Sequence, residues 1–284
     1  MPLPTLVTGG LGFVGSHLVD RLVRAGREVH VIDDLRTGNL SNANPQSKII
    51  RLELTAALAS MESRYDRIYH LANSARIYQS FETVSETIGN NFNTTLAICE
   101  YARRTASGPV FFASSSTTEF VEPTNNPYTF SKSICDQLID FYGKKVGVRT
   151  CVVKFYNVYG SMREADIGIS TSVIRKFKKQ YLNKEPLTVI GDGSSRRSFT
   201  SIEDTVDALM ILDGLTELDG MYHIGSDKTY SISDIVSAFG ASHINLPARD
   251  YERSEIACQG SNVPGWAPRV DLLDHIRAWV KANS

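Results

Sequence analysis

The stretch TLVTGGLGFVGSHLVDRL, residues 5–22, leaves a chain few choices of fold. A short apolar run, LVT at 6–8, reads as a strand and passes directly into glycines at 9, 12 and 15, which open a helical pattern with Val14, Leu18, Leu22 and Val23 on one face. Glycines there permit a tight turn and let backbone N–H groups approach an anion at the positive end of the helix. VHVI at 29–32 reads as the next strand, and Asp33 ends it 18 residues beyond Gly15, where a carboxylate suits an adenosine ribose. Its charge opposes a 2′-phosphate and so favours NAD, while Arg36 just beyond is placed to receive such a phosphate and keeps NADP open. Strand, glycine loop, helix and acidic strand end together predict a dinucleotide-binding unit.

The first half of the chain repeats this alternation. IIRLEL near 49–54, RIYHLA near 67–72, PVFFAS at 109–114 and TCVVKFY at 150–156 are further strand candidates. Helices fit between them, over 85–104 with Ile88, Phe92, Leu96 and Tyr101, and over 128–143 with Ile134, Leu138 and Phe141. The pattern predicts an α/β fold built on a doubly wound parallel sheet. After residue 160 come a basic helical stretch, SVIRKFKKQYLNK, a strand-like LTVI, a GDGSS turn and a mixed tail. We expect a dinucleotide-binding domain over 1–160, with segments near 200–224 returning to it, and a smaller α/β domain over 161–284. The KFKK run reads as a solvated helix face, with a nearby phosphate as the alternative.

A formal net charge of −1 gives no nucleic-acid or anionic-membrane footprint. Neither a signal-peptide pattern nor a long apolar span is present, which makes the cytoplasm the expected location. Cys99, Cys135, Cys151 and Cys258 lack metal-ligand spacing, so no metal is expected and the cysteines read as small buried hydrophobes. His70 and His17 read as packed histidines.

In order along the chain, TGGLGFVGS, IDDLRTGN, HLAN, NNFNTT, SSS, YTFSK, NVYG and GDGSSRRSF give a series that resembles the extended short-chain dehydrogenase/reductase family, in particular its nucleotide-sugar epimerases and dehydratases. The resemblance runs from about residue 5 to GWAP at 265–268. It implies a Rossmann domain that binds NAD, a smaller C-terminal domain that binds a nucleotide sugar, and a homodimer formed through the helices near 88–104 and 130–143. Carried onto this sequence, it implies that Gly9, Gly12 and Gly15 hold the pyrophosphate, with Phe13 and Val14 at the turn into the helix. Asp33 and Asp34 match the acidic pair at the adenosine ribose, and Glu53-Leu54 stands where relatives have Asp-Ile against adenine. Leu71 and Ala72 match the strand end beside the cofactor, and Asn91 the asparagine that supports its loop. Asn157 and Arg197 match contacts to the sugar diphosphate, and Arg249 matches a second phosphate arginine more loosely. Ser198 follows Arg197 where relatives have an acidic residue.

Tyr128 and Lys132, four residues apart, share one face of a helix. An isolated tyrosine ionises near pH ~10, and a nearby ammonium together with a positive nicotinamide ring would favour its phenolate. In that environment Tyr128 can take a proton from a sugar hydroxyl while the carbon-bound hydrogen leaves as hydride. Lys132 can also hold the nicotinamide ribose. Ser116, four residues before Phe120, matches the family's catalytic hydroxyl, which both donates and accepts and so can bridge the sugar oxygen and Tyr128. Ser114 and Ser115 read as strand-end supports.

Family dehydratases place Asp-Glu after the catalytic hydroxyl, and UDP-glucuronate decarboxylases have a glutamate there; this chain has Thr117 and Thr118. A 4-epimerase needs no third acid or base, and the expectation is therefore 4-epimerisation of a UDP-sugar through a 4-keto intermediate. Decarboxylase, dehydratase and a non-catalytic NAD- or nucleotide-sugar-binding protein remain the alternatives. Phe120-Val121 replaces the usual Tyr-Gly, and only seven residues lie between Phe120 and Tyr128, an abbreviated loop that predicts an open pocket.

Overall fold

A computed structural model describes residues 2–161, 163, 172–218, 220–248 and 255–284. Its first half runs β1 (Thr5–Thr8), α1 (Phe13–Arg24), β2 (Val29–Ile32), β3 (Lys48–Ile50), α2 (Leu54–Ser60), β4 (Arg67–His70), α3 (Ile77–Glu82), α4 (Val84–Thr105), β5 (Val110–Ser115), α5 (Thr117–Phe120), α6 (Pro127–Phe141) and β6 (Thr150–Phe155). There follow β7 (Val158–Tyr159), α7 (Val173–Leu182), β8 (Leu187–Ile190), β9 (Arg196–Ser198), β10 (Thr200–Ser201), α8 (Ile202–Asp213), β11 (Met221–Ile224), β12 (Thr229–Ser231), α9 (Ile232–Phe239), β13 (His243–Leu246), β14 (Glu255–Ile256) and α10 (Leu272–Asn283).

Seven strands form one sheet in the order β3-β2-β1-β4-β5-β6-β11, every neighbouring pair parallel. This is the expected Rossmann arrangement: the order reverses between β1 and β4, and that reversal opens a crevice at the carboxyl ends of the strands. Both faces of the sheet are covered, which is why β1 and β2 are buried at every residue. On one face Leu18, Val19 and Leu22 of α1 pack with Val206, Leu209 and Leu212 of α8. On the other, Ile98, Cys99 and Ala102 of α4 pack with Leu54 and Leu58 of α2 and Ile139 of α6. A separate core joins Ile174 and Phe177 of α7, Leu187 and Val189 of β8, Ile235 and Phe239 of α9 and Ile276 of α10. Beside it lie the small sheets β12-β9-β14 and β13-β8.

Two segments differ from the sequence expectation. The run at 49–54 is a strand only to Ile50, because the Glu53 carboxylate accepts the Ala56 N–H at 2.9 Å and caps α2. The run at 67–72 ends as a strand at His70. All four cysteines are buried and free, and no described helix is long and apolar enough to cross a membrane.

Asn126 sets the start of α6. Its side-chain oxygen accepts the Thr129 N–H at 2.8 Å, and Pro127 fills the first turn, where a missing N–H costs nothing. Asn126→Ala is expected to lower stability by about 1 kcal/mol, read as a fall in the urea midpoint with an unchanged slope. An unchanged midpoint would show that helix packing alone holds this terminus.

Candidate active site

A cleft of about 630 Å³ opens over the switch point and is lined from Gly9 to Ile232 by residues of both halves of the chain. Its floor is the glycine loop. Gly9 has φ of +69°, and a Cβ there would come within 2.7 Å of the Ala72 nitrogen; a Cβ on Gly15 would come within 2.2 Å of the Gly9 oxygen. The loop thus lies flat against the end of β4, and α1 begins at Gly12 with no side-chain cap on its N–H groups. Uncapped N–H groups at a helix start, facing a cleft, are donors suited to a phosphate.

Asp33 and Asp34 stand at the β2 side of the cleft. The Asp33 carboxylate accepts the backbone N–H groups of Leu11 and Leu35, both at 2.9 Å, which fixes its rotamer and leaves lone pairs for a ribose hydroxyl. Burial raises its pKa, and the two backbone bonds pull the other way. Arg36 is engaged by Asp34 and Glu86, each at 3.2 Å, and by the Asn90 carbonyl. A 2′-phosphate would have to compete with those carboxylates, which favours NAD. Glu53, Leu54, Leu71 and Ala72 also line the cleft, as do Phe13 and Val14. Asn91 does not. It is fully buried and holds the loop after β4 from behind, accepting the Ser74 N–H at 2.7 Å and donating to the Ser74 carbonyl and to Ser131. It supports the loop after β4, the place that the resemblance implies for it, and does not itself line the cleft.

Tyr128 and Lys132 face the cleft from the first turns of α6, both buried. Lys132 Nζ donates to the Ala113 carbonyl and, at 3.1 Å, to Asn73 Oδ1. An ammonium has three donors, so one remains for a hydroxyl in the cleft. Burial raises the Tyr128 pKa, while the neighbouring Ser115 hydroxyl and the Arg76 charge act to lower it. Burial lowers the Lys132 pKa. Burial and the Lys132 charge push His70 down to about 3, and its ring is held by Thr8 at 2.9 Å. Thus His70 is a packed neutral histidine, as its strand position suggests. His17 bonds Ser161 at 2.7 Å on the outside of the loop.

Ser115, Ser116 and Thr117 all line the cleft, and the Ser115 hydroxyl accepts the Thr117 N–H at 3.2 Å and the Thr117 hydroxyl at 3.0 Å. β5 ends at Ser115 and the helical turn of α5 begins at Thr117, with Ser116 at the junction. Ser114 is a support, donating to the Asp136 carboxylate at 2.7 Å. Asp136 also meets Lys154 at 3.2 Å, and Lys154 is bound in turn by Thr118 and Glu119. None of Thr118, Glu119, Asp136 and Lys154 lines the cleft. Among the described lining residues the carboxylates are Asp33, Asp34 and Glu53, all away from Tyr128.

The far wall carries Asn157, Lys176, Thr188, Ser195 and Arg197. Asn157 takes a left-handed backbone, φ 35°, and donates to the Ser198 carbonyl at 2.8 Å. Ser198 in turn accepts the Cys258 N–H at 2.9 Å, so the serine anchors β9 where an acidic residue was expected. Lys176 enters the cleft and Lys178 is buried against the Gly160 carbonyl and His275, so the KFKK run is not simply a solvated face. Arg249 lies outside the described residues. Asn73, Arg76, Thr188 and Ser195 are among the cleft residues that sequence patterns did not single out; position in or just after HLAN was the available signal for the first two.

The model of the NAD dependent epimerase/dehydratase family matches residues 5–225. UDP-glucuronic acid decarboxylase 2 of Arabidopsis thaliana is 30% identical over 98% of this chain and 68% of its own length. The UDP-glucose 4-epimerase of Thermus thermophilus, solved with NAD, is 25% identical, with a TM-score of 0.85 over 99% of each chain. The UDP-glucose 4-epimerase of Thermotoga maritima, solved with UDP-glucose, shares the fold with a TM-score of 0.89 at 23% identity over 98% of each chain.

The glycine loop, the two-donor clamp on Asp33 and the free Lys132 donor fit an NAD molecule lying along this cleft. Gly15→Ala is expected to weaken NAD binding at least ~10-fold by calorimetry, since the loop must move to clear a 2.2 Å contact with backbone. Wild-type affinity in that variant would mean the loop is not the pyrophosphate cradle.

Proposed function

The chain belongs to the NAD-dependent epimerase/dehydratase family, and from that premise we propose that it is a nucleotide-sugar 4-epimerase acting on a UDP-sugar. The observation that carries this reading is the furnishing of the Tyr128 end of the cleft with hydroxyls, Ser115, Ser116 and Thr117, while Glu119 is turned into an ion pair with Lys154. Elimination of water needs a further acid and base at the sugar. Reversible oxidation at one carbon needs one group that takes a proton and gives it back.

On this reading Arg197, Lys176 and Asn157 hold the sugar diphosphate at the far wall, and Arg249 remains a candidate outside the described residues. Ser116 contacts the sugar. Tyr128 takes the proton of the C4 hydroxyl as the C4 hydrogen leaves. NAD, when bound, supplies the acceptor for that hydride and returns it. Lys132 holds the nicotinamide ribose with its remaining donor, and Arg76 favours the phenolate. The open cleft leaves the 4-ketose room to present its other face, after which Tyr128 gives the proton back and the centre is inverted. The division into a dinucleotide domain over 1–160, rejoined near 200–224, and a sugar-binding domain over 161–284 belongs to the same proposal.

One observation favours a second reading. Arg76 puts a cation beside Tyr128, where a uronic acid would carry its carboxylate, and a relative named UDP-glucuronic acid decarboxylase matches over 98% of the chain. Oxidation at C4 of such a sugar makes a β-keto acid that loses carbon dioxide with little help.

NMR of UDP-glucose, UDP-N-acetylglucosamine and UDP-glucuronate incubated with NAD-loaded protein separates the two: an epimer supports the first reading and a UDP-pentose with released carbon dioxide the second. Tyr128→Phe is expected to lower kcat by about 10²–10⁴-fold with substrate affinity retained. Turnover unchanged by that variant would end both readings, and a panel with no product would leave a binding protein.

A homodimer through α4 and α6 is proposed as well, since Val84, Phe130 and Phe141 on these helices are exposed. Light scattering should give twice the chain mass, falling toward one chain for Phe130→Asp/Phe141→Asp. A wild-type monomer at micromolar concentration would overturn it.

A further inference from the structure

We infer that Glu86, on α4 and outside the cleft, decides which dinucleotide this chain accepts, because it holds an arginine that would otherwise receive a 2′-phosphate. The inference rests on NAD binding along the cleft and not on the reaction that follows.

The argument starts from the charges at the β2 end of the cleft. Asp33 is fixed in place: its two oxygens accept the backbone N–H groups of Leu11 and Leu35, both at 2.9 Å, and a Cβ on Gly38 would lie 2.6 Å from its Oδ1. Arg36 lines the same part of the cleft. A guanidinium has the planar fork that grips a phosphate through two parallel N–H bonds. A carboxylate and an arginine this close together give opposite instructions about a 2′-phosphate, so the partners of the arginine must decide between them.

Those partners occupy one edge of the fork. Nη1 carries two protons, and it donates to Glu86 Oε1 and to Asn90 Oδ1, each at 3.2 Å. Nη2 pairs with Asp34 Oδ2 at 3.2 Å, while Asp34 Oδ1 accepts the Arg36 backbone N–H at 3.0 Å. The two carboxylates differ in what they do. Asp34 lies two residues away and travels with the loop, whereas Glu86 is 50 residues away on a packed 22-residue helix. Glu86 therefore ties the guanidinium to the helix layer and turns its Nη1 end away from a ligand. The pair is exposed, at 43% for Arg36 and 58% for Glu86, so it contributes little to stability. Its weight falls on the ligand instead. A 2′-phosphate carries close to two negative charges, so each carboxylate it faces opposes it about twice as strongly as it would a single charge.

The test is calorimetric affinity for NAD and for NADP, measured on the whole chain freed of nucleotide, with no turnover required. Wild-type protein should prefer NAD. Glu86→Ala should raise NADP affinity about 10-fold while NAD affinity stays within about 2-fold. Glu86→Gln, which removes the charge but keeps an acceptor for Nη1, should give a smaller gain in the same direction. Arg36→Ala added to Glu86→Ala should abolish the gain, and added salt should shrink it. An NADP-to-NAD affinity ratio unchanged by Glu86→Ala would overturn the assignment, circular dichroism confirming that each variant is folded. So would a gain that survives the loss of Arg36, since Glu86 would then act by general repulsion and not by holding the arginine. Binding of neither nucleotide to the wild-type chain would overturn the cleft as the cofactor site too, and is distinguished from failure of the Glu86 assignment alone, in which NAD still binds.

Discussion

The contact on which the rest of this molecule depends is between backbone and backbone. The β1–α1 loop lies so close to itself and to the end of β4 that a single methyl group on Gly15 or Gly9 would overlap main-chain atoms. That closeness brings uncapped N–H groups at the start of α1 to the bottom of the cleft, at the point where strand order reverses. A packed loop of this kind also transmits position. The Leu11 N–H holds Asp33, the Gly9 N–H meets the Ile32 carbonyl, and the Leu71 N–H meets the Thr8 carbonyl, so the ends of β1, β2 and β4 are registered to one another. The cleft is therefore built by strand pairing and needs little from the side chains that line it on this side.

The Tyr128 side is built differently, by buried polar groups that must all be satisfied. Lys154 is buried and Asp136 largely so, 3% and 13% exposed, and the lysine would be costly alone. Together with Ser114, Thr118 and Glu119 they tie β5, α5, α6 and β6 at one knot. A second knot joins the returning segment to the first strands: Asp213 at the end of α8 is 4% exposed and receives Arg27, Arg67 at 3.4 Å and the Tyr69 hydroxyl at 2.6 Å. These knots fix the directions of helices whose apolar faces alone would tolerate sliding.

Much of this was legible from residue order. A glycine loop between an apolar run and a helical pattern carries its own geometry, and so does a tyrosine one turn before a lysine, because both are local. Capping by Glu53 was not legible, since a polar residue in an apolar run reads equally as strand or cap until the next turn closes. Nor were the separate surroundings of Ser114, which donates to Asp136, and of Ser115, which accepts from Thr117. In a strand successive side chains alternate faces, in a helix they advance by a third of a turn or less, and the change of rule falls just after Ser115. Lys176 and Lys178 illustrate the same limit: the run KFKK looks uniform, but the helix sends one lysine to the cleft and buries another.

The furnishing of the Tyr128 end bears on which chemistry the site can sustain. A carboxylate placed there would either repel the phenolate or demand a cation of its own, and the cation close behind, Lys154, is already engaged by Glu119 and Asp136. Hydroxyls carry no such cost. Ser115, Ser116 and Thr117 line that end without adding charge, and the Arg76 charge acts to favour the phenolate. On the proposed reading the site thus keeps the minimum proton inventory, one base that must return what it takes. The stereochemical outcome is then decided by how freely the ketose turns before the proton comes back, and in this chain that freedom is set by the brief connection from Val121 to Asn126, held short by the cap that Asn126 places on α6.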